Sequence, residues 1–157
     1  MEPSVGIGRF PRATGRPSCI DPAGPVRRLE WVTVEFSKVS SRLFAALRPD
    51  ATHYNMPFER FVRLHSSEYT GRIHVVLTNP PYGQRGEYAA EDTNPSYRER
   101  AAYPYFMRRA FDMLVPGGLG VAIVPSGFRT GERNRELRGR ILARHHLAAA
   151  FRLPSHL

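Results

Sequence analysis

The stretch IHVVLTNPPYGQ, Ile73 to Gln84, constrains the fold more than any other part of this chain. Ile73 to Thr78 is short, largely apolar and rich in β-branched residues, which predicts a buried strand. The next residues end it abruptly. Pro80 and Pro81 lack N–H groups and hold φ near a single value, so neither a helix nor a central strand can run through them. The segment beyond the strand is therefore stiff and extended, with carbonyls free to accept. Asn79 adds a side-chain amide oxygen and Tyr82 a flat ring. The Asn79 amide oxygen and the Pro80 carbonyl can converge on one exocyclic –NH₂ group, with Tyr82 as a plate for a planar substrate. The competing reading is an ordinary proline-rich turn carrying a surface tyrosine.

The rest of the chain alternates between strand and helix signals. Leu29 to Phe36 contains Trp31, Val32, Thr33 and Val34, all strand formers. Ser37 is a fair N-cap, and Val39, Leu43, Phe44, Ala46 and Leu47 come near helical spacing until Pro49 stops the helix. A short strand is predicted at Thr52 to Asn55 and a short amphipathic helix in FERFVRLH. Gly83 to Arg98 reads as a long polar loop, a length that is usually functional or mobile. Tyr103 to Leu114 is predicted as a helix, VPGG as a turn, LGVAIVPS as a strand buried on both faces, Glu132 to His145 as a helix and Leu147 to Leu153 as a last strand. Phe10 to Pro25 is proline-rich and reads as a loop with at most one short helical turn. Strands alternating with helices predict βαβ units, a mostly parallel sheet with helices on both faces, and ligands at the carboxyl ends of the strands.

Composition excludes more than it identifies. With 157 residues the default is one domain. Hydrophobic residues at 41% and aromatics at 11% suit a globular protein rather than a disordered one. No apolar run approaches a membrane span, and no signal-peptide pattern opens the chain, so a cytoplasmic location without membrane partners is expected. Cys19 is the only cysteine, which rules out an internal disulfide or a cysteine metal cluster. The six histidines lack metal spacing, and no metal is expected. The net charge of +9 is carried almost wholly by arginine, Lys38 being the only lysine. A basic surface suits nucleic acid, but the same usage is what a GC-rich genome encodes.

Two further features lie where a ligand would bind. EPSVGIG, Glu2 to Gly8, places Gly6 and Gly8 where a backbone can take positive φ and approach a ligand closely. The third glycine of a dinucleotide fingerprint and the Lys of a P-loop are both missing. Glu35, at the end of the next strand, can accept hydrogen bonds from two ribose hydroxyls. Together with the glycine turn it favours a nucleoside ligand.

Taken in order, EPSVGIGRF, VEF with Glu35, TNPPYG and YPYFMRRAFDMLVPGGLGVAIVPSGF resemble the motifs of S-adenosylmethionine-dependent DNA adenine-N6 methyltransferases. The resemblance is to the type in which the cofactor motif precedes N-P-P-Y, as in restriction-modification systems. It runs from Glu2 to Leu153, and only 11–28 and the 83–98 loop lack a counterpart. It implies a Rossmann-like class I methyltransferase with a cofactor-binding half, 1–78, and a target-base half, 79–157. Glu2, Pro3, Ser4, Gly6 and Gly8 would line the methionine end of S-adenosylmethionine, and Glu35 would bind its ribose. Phe58 would lie against the cofactor adenine, with Phe106 beside it. Pro57 stands where the family often has an acidic residue for the adenine amino group. Asn79, Pro80 and Pro81 would form the catalytic clamp for the target N6, and Tyr82 would stack on the base. The implied partners are DNA with its target base flipped out and a separate specificity or recognition subunit.

Relative to that pattern the first, central strand of the sheet, the last strand and any target-recognition domain are expected to be missing. A missing central strand would leave the edges of both neighbours exposed. This implies a fragment with reduced or no activity. The same clamp also serves enzymes that methylate a glutamine amide of release factors or guanine N2 in RNA. A non-catalytic nucleic-acid-binding remnant is the remaining alternative.

Overall fold

The computed structural model describes residues 1–14 and 29–154; Cys19 and most of the proline-rich segment lie outside them. Among the described residues every strand pairs in parallel. Strand β1 (Val32–Val34) pairs with β2 (Thr52–Tyr54), and β3 (Ile73–Thr78) with β4 (Leu114–Ala122). Parallel neighbours need crossovers, and each crossover is helical. Helix α2 (Lys38–Leu47) joins β1 to β2, α3 (Phe58–Tyr69) joins β2 to β3, and α4 (Ala102–Phe111) precedes β4. This is an α/β fold built as two strand pairs rather than one continuous sheet.

The gap between the pairs is not open, contrary to the expectation of two exposed edges. Met1 and Glu2 sit in it. The Glu2 N–H donates to the Val32 carbonyl (3.0 Å), and the Val34 N–H donates back to Glu2 (3.0 Å). On the other side the Leu77 N–H donates to Met1 (3.0 Å), and the Met1 nitrogen donates to the Val75 carbonyl (2.6 Å). The order across the unit is therefore β2, β1, Met1–Glu2, β3, β4. Two residues act as a central strand because their backbone groups face both ways and answer the unpaired groups of each neighbour.

Local chemistry explains the helices. The Ser37 hydroxyl accepts the Ser40 N–H (3.3 Å) and caps α2. One face of α3 buries Phe58, Phe61 and Val62, and α4 buries Tyr105, Phe106, Ala110 and Phe111. Their rings meet: Phe58 stacks on Phe61 with centroids 6.0 Å apart and lies 4.8 Å from Phe106. Each such side chain contributes about 1.5–3 kcal/mol by leaving water. His53 of β2 is tied on both ring nitrogens, to Thr33 (2.9 Å) and Ser41 (2.7 Å), which links β1, β2 and α2.

Several expectations are corrected. VPGG does not simply turn the chain: it lies inside β4 as a bulge, since Ile73 faces Leu114 but Val75 already faces Leu119, with Gly117 at φ 77° absorbing the extra residues. LGVAIVPS is not buried on both faces; β4 pairs on one side only, and Leu119 and Val121 are exposed. The 83–98 segment is not wholly irregular, carrying 3₁₀ turns at Glu87–Glu91 and Pro95–Tyr97. Leu147 to Leu153 is not a strand, because no strand among the described residues pairs with it and Phe151 stays exposed. The proline-rich segment begins with a six-residue helix α1 (Arg9–Thr14).

Met1–Ile123 forms one compact unit, and a second begins at Val124. The second holds α5 (Gly127–Thr130), a 3₁₀ turn and α6 (Arg135–Leu142), shorter than the predicted 132–145 helix. Arg138 ties it together by donating to the carbonyls of Phe128 (2.9 Å) and Gly131 (2.8 Å). No helix among the described residues is long and apolar enough to cross a membrane.

The glycine turn gives a first test. Gly8 has φ 83°, and a Cβ there would fall 2.6 Å from the buried Phe44 ring; Gly6 has φ 56° and open space. Gly8→Ala is expected to destabilise the protein by about 2–4 kcal/mol and Gly6→Ala by only about 1–2 kcal/mol. Chemical denaturation of the two variants checks this ordering.

Candidate functional site

The carboxyl ends of the strands lie on one side, as parallel pairing requires, and four polar residues collect there, three of them singled out by sequence. Ser4 follows Met1–Glu2, Glu35 follows β1, Asn55 follows β2 and Asn79 follows β3. They are joined by hydrogen bonds. The Ser4 hydroxyl donates to the Asn79 carbonyl (3.2 Å), and the Val5 N–H donates to the Val34 carbonyl (3.0 Å). The Asn55 amide donates to the Glu35 carbonyl (2.8 Å). The Glu35 N–H donates to Tyr54 (3.0 Å).

Glu35 is held rigidly. Its Oε2 accepts the Gly6 N–H (2.8 Å) and its Oε1 the Ser37 N–H (2.7 Å). One carboxylate thus ties the glycine turn to the start of α2. Each oxygen retains a second lone pair for a ligand donor. Gly6 can present its N–H to Glu35 because its positive φ turns the peptide inward.

Glu2 is the electrostatic anomaly of the site. Its side chain is 3% exposed, and Oε2 has no hydrogen-bond partner. Burial pushes its pKa up to about 8; the Met1 amino group opposes the rise and the nearby Glu35 carboxylate adds to it. A buried carboxyl without a full set of partners is costly when ionised. A cationic group bound beside it would lower that cost.

Asn79 to Tyr82 follow β3 directly, and they are not all open. The Pro80 ring is fully buried, while Asn79, Pro81 and Tyr82 are exposed. No donor among the described residues reaches the Pro80 carbonyl. The Tyr82 hydroxyl donates to Asn79 Oδ1 (2.7 Å) and lies 3.4 Å from the Ile123 carbonyl at the end of β4. Burial of the hydroxyl raises the Tyr82 pKa. Tyr103 lies 6.5 Å from the Tyr82 ring, tilted by 59°.

Phe58 and Phe106 pack against each other and are 2% and 8% exposed, so both belong mainly to the core. Pro3 is fully buried. Asn55 and Tyr103 were not picked out by sequence. Asn55 lies just past a three-residue strand and Tyr103 in the first turn of a helix, and only tertiary placement brings them to the site.

The long loop after Tyr82 is latched down. Gln84 bridges to Ala101, with Arg85 N–H on the Arg100 carbonyl (2.8 Å) and Ala102 N–H on Gly83 (2.8 Å). Asp92 receives Arg109 on both oxygens (2.6 Å each) and the Tyr105 hydroxyl (2.9 Å). Burial alone would raise its pKa, but Arg109, the Asn94 N–H and Tyr105 hold it below the usual range. Arg85 pairs with Glu59 (3.2 Å) and covers the Tyr105 ring at 3.6 Å. Arg60 and Arg63 share Glu91, and Arg108 pairs with Glu99. The loop carboxylates Glu91, Asp92 and Glu99 are thus neutralised from the helices. Arg98 and Arg100 remain exposed, with no carboxylate partner among the described residues. A concavity of about 440 Å³ lies under this loop, lined by Gln84, Arg85, Arg98 and Arg100 among others.

Residues 31–156 match the family described as Eco57I restriction-modification methylase. The chain is 31% identical over 155 residues to Defense against restriction protein B of Escherichia phage P1, covering 99% of this chain and 6% of that protein. It shares its fold with a modification subunit of a putative type I restriction enzyme from Vibrio vulnificus YJ016, with a TM-score of 0.62 at 15% identity over 88% of this chain and 32% of that one. The chain therefore spans a small part of the phage protein and about a third of the solved subunit.

Glu2 gives the pH test. Its folded pKa, near 8, exceeds the ordinary 4.5. Between these values the native state binds more protons than the unfolded state, so this group's stabilising contribution is complete below pH 4.5 and is lost as pH rises toward 8. Relative to Glu2→Gln, the wild type is expected to lose on the order of a few kcal/mol between pH 5 and 8. The Met1 amino group, lowered to about 6 by burial against an upward pull from Glu2, titrates in the same range, so the difference between the two proteins reports the coupled pair rather than Glu2 alone. Denaturation midpoints of both proteins across that range measure the effect.

Proposed function

The chain belongs to the Eco57I restriction-modification methylase family, and from that premise we propose that it carries the catalytic core of an S-adenosylmethionine-dependent DNA adenine-N6 methyltransferase with a Rossmann-like sheet. The observation that carries the reading is the junction of two half-sites at the strand ends. The glycine turn and Glu35 meet Asn79 through the Ser4–Asn79 hydrogen bond of 3.2 Å.

The residues present fit the cofactor. Glu2 offers an unpartnered buried carboxyl oxygen to a cation, Gly6 faces open space at positive φ, and Glu35 holds two oxygens ready for paired hydroxyls. Glu2, Pro3, Ser4, Gly6 and Gly8 would hold the methionine end, Glu35 the ribose, and Phe58 and Phe106 the adenine. S-adenosylmethionine, when bound, supplies an electrophilic methyl group. The chain's own work is orientation. Asn79 Oδ1 and the Pro80 carbonyl would accept both N–H bonds of the target amino group and aim its lone pair, Pro81 would keep the segment extended, and Tyr82 would stack on the base. Acceptors fixed before the reaction also stabilise the positive charge that develops on the nitrogen.

The family and the modification-subunit fold favour DNA over an RNA or release-factor substrate. The exposed Arg98 and Arg100, which line a concavity with Gln84, are proposed to contact the phosphates of the strand bearing the flipped base. Likeness to the phage protein supports a role in defense against restriction, and likeness to a modification subunit supports a separate specificity subunit as partner.

Methyl transfer from labelled S-adenosylmethionine to duplex DNA, ribosomal RNA and release factor, assayed side by side, tests the reading. Label is expected in DNA adenine, and Asn79→Ala is expected to lower the rate by about 10²-fold or more. Label in RNA or protein alone would reject the DNA substrate. In DNA binding, the Arg98→Ala, Arg100→Ala double variant is expected to reduce the slope of log affinity against log salt by about 2.

A further inference from the structure

We infer that the Tyr82 hydroxyl is a built-in occupant of the amino-group clamp, holding Asn79 Oδ1 in place of the target amine and yielding it when a base enters. This rests on the reading of Asn79 and Pro80 as the clamp. The two acceptors are not in the same state. Asn79 Oδ1 takes the Tyr82 hydroxyl at 2.7 Å, whereas the Pro80 carbonyl meets no donor among the described residues. The clamp is half filled from within. The occupant is a single O–H, which matches one of the two N–H bonds an exocyclic amine would bring.

The same geometry provides the exit. The Tyr82 oxygen also lies 3.4 Å from the Ile123 carbonyl. One proton cannot serve both acceptors well, so a small rotation about the hydroxyl bond and ring trades Asn79 for Ile123. At 3.4 Å the Ile123 bond is the longer and weaker of the two, so releasing the amide costs Tyr82 most of one hydrogen bond. Its ring is 49% exposed, so the face needed for stacking stays available during the trade.

This gives Tyr82 opposed effects on binding. The ring favours any planar base through stacking. The hydroxyl competes only with a base that needs Asn79, that is, one with an exocyclic N–H. An amino-free purine can stack and leave the Tyr82–Asn79 bond in place. Removing the hydroxyl but keeping the ring should therefore tighten binding of the amino-bearing base alone. A hydroxyl whose role is to orient Asn79 for the base would have the reverse effect, because its loss would weaken adenine binding.

The test uses the 157-residue chain and short pyrimidine oligonucleotides carrying one central adenine or one unsubstituted purine, with binding read by fluorescence anisotropy. Tyr82→Phe is expected to bind the adenine probe about 3- to 10-fold tighter, the size of one net hydrogen bond. The purine probe should change by less than about 2-fold, since its complex makes no use of the freed acceptor. Tyr82→Leu, which removes ring and hydroxyl together, is expected to weaken both. Unchanged or weaker adenine binding by Tyr82→Phe overturns the inference. If wild type and Asn79→Ala each bind the two probes alike, the clamp reading itself fails.

Discussion

The structure depends on two residues serving as a strand. Met1 and Glu2 take backbone hydrogen bonds from β1 on one side and β3 on the other. Without them each strand pair would present an unpaired edge along its full length. With them the pairs are bridged by backbone hydrogen bonds, and their carboxyl ends open on one side. The chain then runs from Glu2 straight into the glycine turn, so the residues that bridge the two pairs also bring Gly6 to Glu35. Structural and functional demands meet at Glu2: its backbone is satisfied twice over, and its carboxyl is buried with one oxygen unpartnered.

Two carboxylates divide the electrostatics of the cleft. Glu35 receives two backbone N–H groups, which fix its position. Glu2 lacks an equivalent set of donors, and burial favours its neutral form. A cationic ligand would therefore bind next to an acid that gains from its arrival. The loop beyond Tyr82 solves a different problem. Its carboxylates are matched to arginines on α3 and α4, so a segment of about twenty residues is anchored without a strand of its own. Buried pairs of this kind add little net stability, and they leave the exposed Arg98 and Arg100 without a carboxylate partner among the described residues.

Much of this was legible in the sequence. β3, α2 and the Ser37 cap came from apolar spacing and cap chemistry, and the Asn-Pro-Pro-Tyr segment emerges at a strand end because proline cannot continue a ladder. What escaped was set by tertiary pairing. A strand of two residues has no periodicity to read. Pro116, Gly117 and Gly118 looked like a turn, yet flanking residues pair with β3 and convert them into a bulge. Leu147 to Leu153 has strand-like composition and no partner. Asn55 and Tyr103 reach the site only through the packing of β2 and α4, and the donation from Tyr82 to Asn79 joins residues three apart whose approach depends on the local backbone path.

The central claim is that one cleft, framed by the glycine turn, Glu35 and Asn79, binds S-adenosylmethionine. Amide chemical-shift mapping of the labelled protein with S-adenosylmethionine tests it most directly. The expected result is perturbation concentrated at Gly6 and Ser37, whose N–H groups both point at Glu35, and extending to Asn79 through Ser4. Saturating cofactor that leaves these amides unmoved, or shifts a different surface instead, would contradict the account.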